Sequence, residues 1–241
     1  MGRDLIPPPS LLNRLTRLLR FARSHGAYRA MYQVFGNFTD SLSINKWVTL
    51  QIAEVFRASV NDLKYYPQLL RRFEIRRARQ DEIGALQSFF GKHTQVADRF
   101  SRQDVCIILV VNGRILAAEW LALGPNVFRE DWAPLGCVFR FPAGACWLYD
   151  GLCDEENAGA FGILIACLKS HFGELTVKEV FFQIDYVNID SITIHKDLGG
   201  RSMGKIFHFM FLGLSLTRYK THRGRWRRLP VRAENLGLCK E

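Results

Sequence analysis

The chain has 241 residues, 48% hydrophobic and 23% charged, proportions that exclude a disordered, collagenous or coiled-coil protein. Its net charge of +10 sits at the ends: residues 1–36 hold six Arg and one Asp, residues 218–241 hold eight basic and two acidic side chains, and residues 37–217 sum to −1. A neutral body with basic ends is not the uniformly basic face of a dedicated nucleic-acid binder, and it suits attachment to an acidic surface or an anionic ligand.

Pro7-Pro8-Pro9 and Ser10 open the first predicted element, a helix with Ser10 as its N-cap. Helical spacing puts Leu11, Leu12, Leu15, Leu18, Leu19 and Ala22 on one stripe and Arg14, Arg17, Arg20 and Arg23 opposite. Such a basic amphipathic helix either docks its leucines on the domain or lies on an anionic membrane surface. Residues 1–72 together read as an N-terminal extension with too little apolar sequence to close a core of its own. From Phe73 the texture changes. Phe73–Ala78 alternates as a strand, and Asp81-Glu82 opens a helix with acid in its first turn. Val105–Val111 and Arg114–Leu123 are strands joined by Asn112-Gly113, a strong hairpin signal. Trp147–Leu152 is a strand, Ala158–Phe172 a helix, Val180–Asp185 a strand, Asp190–Leu198 a short helix and Phe207–Leu216 a last strand-like run. The order is that of a mixed α/β sheet, with a right-handed strand–helix–strand unit in its middle. Residues 73–217 are the predicted domain and 218–241 a basic tail. The cysteines Cys106, Cys137, Cys146, Cys153, Cys167 and Cys239 form no C-x-x-C pair, so reduced thiols and no metal site are expected. No apolar run of about 18 residues marks a membrane span. The first residues do not read as a signal peptide. The expected location is the cytoplasm, with the inner membrane face as a peripheral site.

That element order, with the segment Val180–Gly200, resembles the GNAT-type acyltransferases, the acetyl-CoA-dependent N-acyltransferase superfamily. The family pattern after the strand is Asn, Ala or Ser three residues on, Tyr four later, then Leu-Gly-Phe. Asn188, Ser191, Leu198 and Gly199 match, His195 takes the Tyr position and Gly200 the Phe position. The resemblance covers roughly residues 73–217. It implies acetyl-CoA or another acyl-CoA as donor, no metal, and a small-molecule amine as acceptor. An amino sugar of a surface-polysaccharide pathway is the acceptor that the extended architecture suggests. A phosphate-binding loop is implied at Asn157, Ala158, Gly159, Ala160, Phe161 and Gly162. Small residues there let backbone N–H groups of a helix start approach a pyrophosphate. This sequence lacks the family's cation at that loop and carries Glu155 and Glu156 beside it, so an ordinary helix start is the alternative. The backbone of Leu152 and Cys153 stands where the family accepts the pantetheine amides.

Acyl transfer needs a base for the amine and an acid for the departing thiolate. Asp150, a carboxylate in an otherwise apolar strand, is the expected base acting through water. Its alternative is a structural Asp bonded to backbone. Asp185 is the second candidate, or a turn residue before Asn188. His195 is the expected thiolate acid, with a surface or core-edge histidine as the alternative. Cys153 is not expected to be a nucleophile. The other readings are a non-catalytic GNAT-like scaffold with a degenerate phosphate loop, and non-specific nucleic-acid contact through the tail, which is not expected. A homodimer and an anionic membrane surface are the further candidate partners.

Overall fold

The computed structural model of the chain describes residues 48–91, 94–129, 138–157, 159–212, 214–221 and 227–228, with isolated residues among 16–34. The amphipathic helix expected over 11–23 and most of the basic tail lie outside the described residues. Contacts divide the chain into a main unit, residues 52–207 and 217–241, and a smaller unit, residues 1–51 and 208–216. The fold below is that of the main unit.

In chain order the strands are β1 (Val48–Ser59), β2 (Glu74–Arg77), β3 (Val105–Val111), β4 (Arg114–Leu123), β5 (Asn126–Arg129), β6 (Val138–Phe141), β7 (Ala145–Cys153), β8 (Glu179–Asp185), β9 (Arg201–Phe211), β10 (Leu214–Thr221) and β11 (Arg227–Arg228). The helices are α1 (Pro67–Leu70), α2 (Ile83–Phe90), α3 (Val96–Ser101), α4 (Gly159–Cys167), α5 (Lys169–Phe172) and α6 (Ile189–Asp197). The sheet order is β11-β10-β9-β1-β8-β7-β4-β3-β2, and β5 and β6 form a separate pair. The β3–β4 hairpin turns on Asn112 and Gly113, whose φ angles of 52° and 76° are the left-handed values that a two-residue hairpin loop requires. β7 and β8 are parallel, joined by α4 and α5 as the crossover.

The sequence reading placed residues 48–59 in the extension. They form β1, antiparallel to β8 from Ala53↔Asp185 to Ser59↔Glu179. The strand is legible only in hindsight. Ile52, Ala53, Val55 and Phe56 are buried on both faces together with Gln51 and Glu54, so no alternation announces it. Likewise, the run expected at 207–216 divides into β9 and β10.

Apolar side chains pack on both faces of the sheet. On one, Leu86 of α2 and Val96 and Phe100 of α3 meet Ile108, Trp120 and Trp147. On the other, Ala160, Leu164, Leu168 and Phe172 of the crossover cover Phe56, Leu109, Leu121, Leu148 and Val180. Trp120 and Trp147 are fully buried, and truncating either to Ala is the kind of change that costs about 3–5 kcal/mol. These two layers fix β7 and β8 rigidly where they pair, and the site begins where their pairing ends.

Candidate active site

The ladder between β7 and β8 runs from Ala145↔Glu179 to Leu148↔Phe182. Both strands continue past it, β7 to Cys153 and β8 to Asp185, so a cleft opens between their C-terminal ends. On its other edge β7 is held by β4 through a bulge. Ala118 pairs with Leu152 and Trp120 with Tyr149, which leaves Glu119 opposite both Asp150 and Gly151. Asp150 has φ 55°, a left-handed conformation that a short polar side chain tolerates better than most. Gly151 is required by close approach: a Cβ there would lie 2.1 Å from Glu119 Oε2 and 2.5 Å from the Phe161 ring.

The cleft has a volume of about 520 Å³ and is lined by Asp150, Leu152 and Cys153 of β7, Asp185 of β8, Phe161 of α4, and Asn188, Ser191 and His195. Glu119 and Asp190 line it too. The structure thus brings together eight of the residues singled out in the sequence. Asn157, Gly159, Ala160 and Gly162 do not line it, and Ala158 lies outside the described residues.

Asp150 is not the isolated carboxylate expected from its apolar neighbours. Its Oδ2 accepts a hydrogen bond from Nη2 of Arg99, a residue of α3 only 3% exposed. The guanidinium also lies 4.8 Å from the Tyr149 ring centroid and 5.3 Å from that of Trp120, a stacked, desolvated setting for a cation. Asp150 is therefore an ion-paired carboxylate held in place from below. Tyr149 donates its hydroxyl to Asp104 Oδ2 at 2.7 Å, and that contact takes the phenol proton out of the cleft chemistry.

Glu119, which sequence reasoning missed, is 4% exposed. Burial, and then the neighbouring Asp150 charge, push its carboxyl well above the usual 4.5. Its Oε2 has no hydrogen-bond partner among the described residues. The signal was there: one acid in the middle of the apolar run Arg114–Leu123, the same pattern that singled out Asp150. Arg99 gave no such signal, because its helix is short and an Arg next to Asp98 in it reads as an exposed charge.

His195, 7% exposed, has its Nδ1 2.7 Å from the Ser191 carbonyl oxygen. The ring packs on Phe182 with centroids 4.6 Å apart. Burial pushes the imidazole below its usual 6.5, partly offset by the Ser191 contact. A neutral ring has one N–H, and here the Ser191 carbonyl takes it. Nε2 is then left as an acceptor toward the cleft, a state from which the ring takes up a proton before it gives one. Asn188 caps α6, its Oδ1 accepting from Ser191 N–H at 3.1 Å. Asp185 Oδ1 accepts from Val187 N–H at 3.1 Å, the turn role set beside the catalytic one. The Cys153 thiol is pushed up by burial and by Asp154, away from thiolate character.

The start of α4 has a different character. Asn157 Nδ2 donates to Asp154 Oδ2 at 3.2 Å, Arg114 is spent on the same carboxylate at 2.7 Å, and Glu156 is exposed. Gly159 leaves open space, so a backbone approach is sterically free while the local charge opposes an anion. Among the described residues no group of three or more His, Cys, Asp or Glu is placed to hold a metal ion, and no helix is long and apolar enough to cross a membrane.

No protein-family model matches the chain, and no curated protein is significantly similar to it. Among solved structures it is similar to a GCN5-related glucosamine N-acetyltransferase region of a fungal multi-domain GH3 β-N-acetylglucosaminidase. Identity is 13% and the TM-score 0.50, over 73% of this chain and 23% of that one. It is also similar to a GNAT-family acetyltransferase from Colwellia psychrerythraea (14% identity, TM-score 0.47, 68% of this chain and 57% of that one). A GCN5-related N-acetyltransferase from Kribbella flavida matches at 11% identity and TM-score 0.47, over 73% of this chain and 64% of that one. The chain spans less than two thirds of the length of each. The fold is the GNAT-type acyltransferase fold, a mixed α/β sheet opened between two parallel strands.

Proposed function

We propose that the chain is an N-acyltransferase that moves an acetyl or longer acyl group from an acyl thioester, acyl-CoA in the first instance, to a small-molecule amine. The observation that carries this reading is the cleft between β7 and β8, where the ladder stops at Leu148↔Phe182 and which Asp150, Asp185 and His195 line together. Backbone groups of Leu152 and Cys153 would meet the pantetheine arm. The amine attacks the thioester carbonyl, a C–N bond forms and the C–S bond breaks. Of the two protons an ammonium must lose, one leaves with the thiolate and the other passes through Nε2 of His195 to solvent. Asp150, pinned by Arg99, supplies fixed negative charge beside the developing cation. An amino sugar is the acceptor that analogy with surface-polysaccharide acyltransferases suggests, and the glucosamine-acetylating region of the same fold is compatible with it. The N-terminal basic helix is proposed to meet an anionic membrane surface.

A second reading, a non-catalytic scaffold, is favoured by one observation: the start of α4 presents Asp154 and Glu156 where an anionic pyrophosphate would sit. Calorimetry with CoA, acetyl-CoA and pantetheine, followed by thiol-release assays with glucosamine, separates the two. Donor binding with thiol release supports the enzyme. Donor binding without release for any amine supports the scaffold.

A further inference from the structure

We propose that Glu119, flanked by Asp150 at the β4–β7 bulge, is the seat of a cationic primary amine, so that the acceptor is recognised as an ammonium ion. The word acceptor rests on the acyltransferase reading; the seat itself does not, and it is tested without an acyl donor.

Three observations converge on it. The Glu119 side chain lines the cleft although the residue is 96% buried, and its Oε2 lacks a hydrogen-bond partner among the described residues. A buried polar atom left unmatched costs about 1–3 kcal/mol, more for a charged group, so it marks a place where a ligand N–H gains most. Gly151 is what lets the carboxyl sit at the cleft wall, since a Cβ there would lie 2.1 Å from Oε2. Finally, the charged side chains lining the cleft are Glu119, Asp150, Asp185 and Asp190, with no Lys or Arg among its described lining residues. Such a wall attracts a cation and repels an anion.

The protonation follows from the surroundings. Facing Glu119 are the Asp150 carboxylate across the bulge and the Cys106 and Cys146 thiols, which burial above all keeps neutral. Arg99 acts through Asp150, whose charge it balances. Across the cleft stand neutral His195, Asp185 and Asp190. With the cleft empty, burial and the Asp150 charge favour the protonated form of Glu119. An arriving ammonium supplies both an N–H and a positive charge, the carboxyl gives its proton to solvent, and the site holds a neutral carboxylate–ammonium pair beside the neutral Asp150–Arg99 pair. A neutral alcohol cannot do this.

The test follows the carboxyl carbon of Glu119 by NMR on Glu-labelled protein, assigned by its loss in Glu119→Gln. Ethylammonium chloride is titrated at neutral pH, with ethanol and sodium chloride as controls. The expected result is a move of that signal from the carboxylic-acid to the carboxylate position with ethylammonium alone. Ethylammonium affinity should fall about tenfold or more in Glu119→Gln and in Gly151→Ala, whose added methyl displaces the carboxyl. Thermal melts confirm that each variant is folded. A Glu119 signal unmoved by ethylammonium, or equal affinity in a folded Glu119→Gln, overturns the proposal. If the signal moves but no acyl transfer is found with any amine, the seat stands and the enzyme reading fails.

Discussion

Two regions of this chain, which the proposed function assigns to the two ends of an acyl donor, differ in how they are built. The outer half of β7 is a rigid, overdetermined structure: a bulge fixes Asp150 at φ 55°, Arg99 pins its carboxylate from the core, and Gly151 is boxed in by Glu119 and Phe161. The start of α4 has the small residues of an anion cradle, yet its near cation, Arg114, is neutralised by Asp154 and Glu156 stands exposed beside it. The end proposed for the thioester is preorganised and the end proposed for the phosphates is not. Small residues at a helix start give access; only charge balance turns access into affinity.

The largest effect that would break this contrast is on stability. Asp150→Asn keeps the shape and the left-handed backbone but strands the Arg99 guanidinium in the core. Losing one member of a buried pair costs about 3–5 kcal/mol, readable by urea unfolding. Arg99→Met should cost less, because the Asp150 side chain is 21% exposed and that of Arg99 3%. Equal, small losses would mean that the pair is not what holds the bulge.

A second test uses pH and the opposite titrations of the two buried groups. Glu119 has a folded-state pKa above its unfolded value of 4.5. The unfolded chain therefore loses this proton first as pH rises, and wild type loses stability above pH 4.5. Glu119→Gln should match wild type below that pH and gain on it above, by up to about 1.4 kcal/mol per pH unit. His195 is shifted downward from 6.5, so its contribution is lost as pH falls below 6.5, and His195→Gln should gain on wild type only on that acid side. Stability curves by denaturant at a series of pH values check both signs.

The same features show how far sequence reasoning reached. The hairpin at Asn112-Gly113, β7 and β8 were legible because each has a local cause, a turn dipeptide or a β-rich run, and α4 and α6 because they follow those strands in sequence. β1 was not, because both of its faces are buried and Gln51 and Glu54 interrupt its apolar run. Asp150 and His195 were found from residue type and motif position, but their states depend on partners far away in sequence or hidden in the backbone. Arg99 is 51 residues from Asp150, and the Ser191 carbonyl that takes the imidazole N–H has no signature in sequence at all. Chemistry that depends on pairing is the part a single sequence conceals.

The α4 start can be sharpened by charge. Glu156→Arg changes two units of charge at an exposed helix N-terminus, where each is worth about 0.3–1 kcal/mol. CoA should then bind roughly three- to thirtyfold tighter while pantetheine, which lacks the pyrophosphate, is unaffected. Calorimetry with both ligands reads this directly. A CoA affinity that does not respond would place the pyrophosphate elsewhere and remove the comparison's second half.

The smallest expected effect separates capping from binding at the other helix start. Asn188 lines the cleft and also accepts the Ser191 N–H at 3.1 Å, so a loss of activity on mutation would be ambiguous by itself. Asn188→Ala removes the cap and any ligand contact, and loss of a cap costs about 1 kcal/mol. Asn188→Ser keeps a capping oxygen but shortens the side chain and removes the amide. If Asn188 only caps α6, Ser should restore both stability and donor affinity. If it also touches the donor, Ser restores the melting temperature and leaves KM for the donor raised. The ring of His195 depends on the same turn, because its Nδ1 contact is to the Ser191 carbonyl. Loosening the first turn of α6 should therefore disturb the imidazole as well, and Asn188→Ala is expected to lower kcat where Asn188→Ser does not.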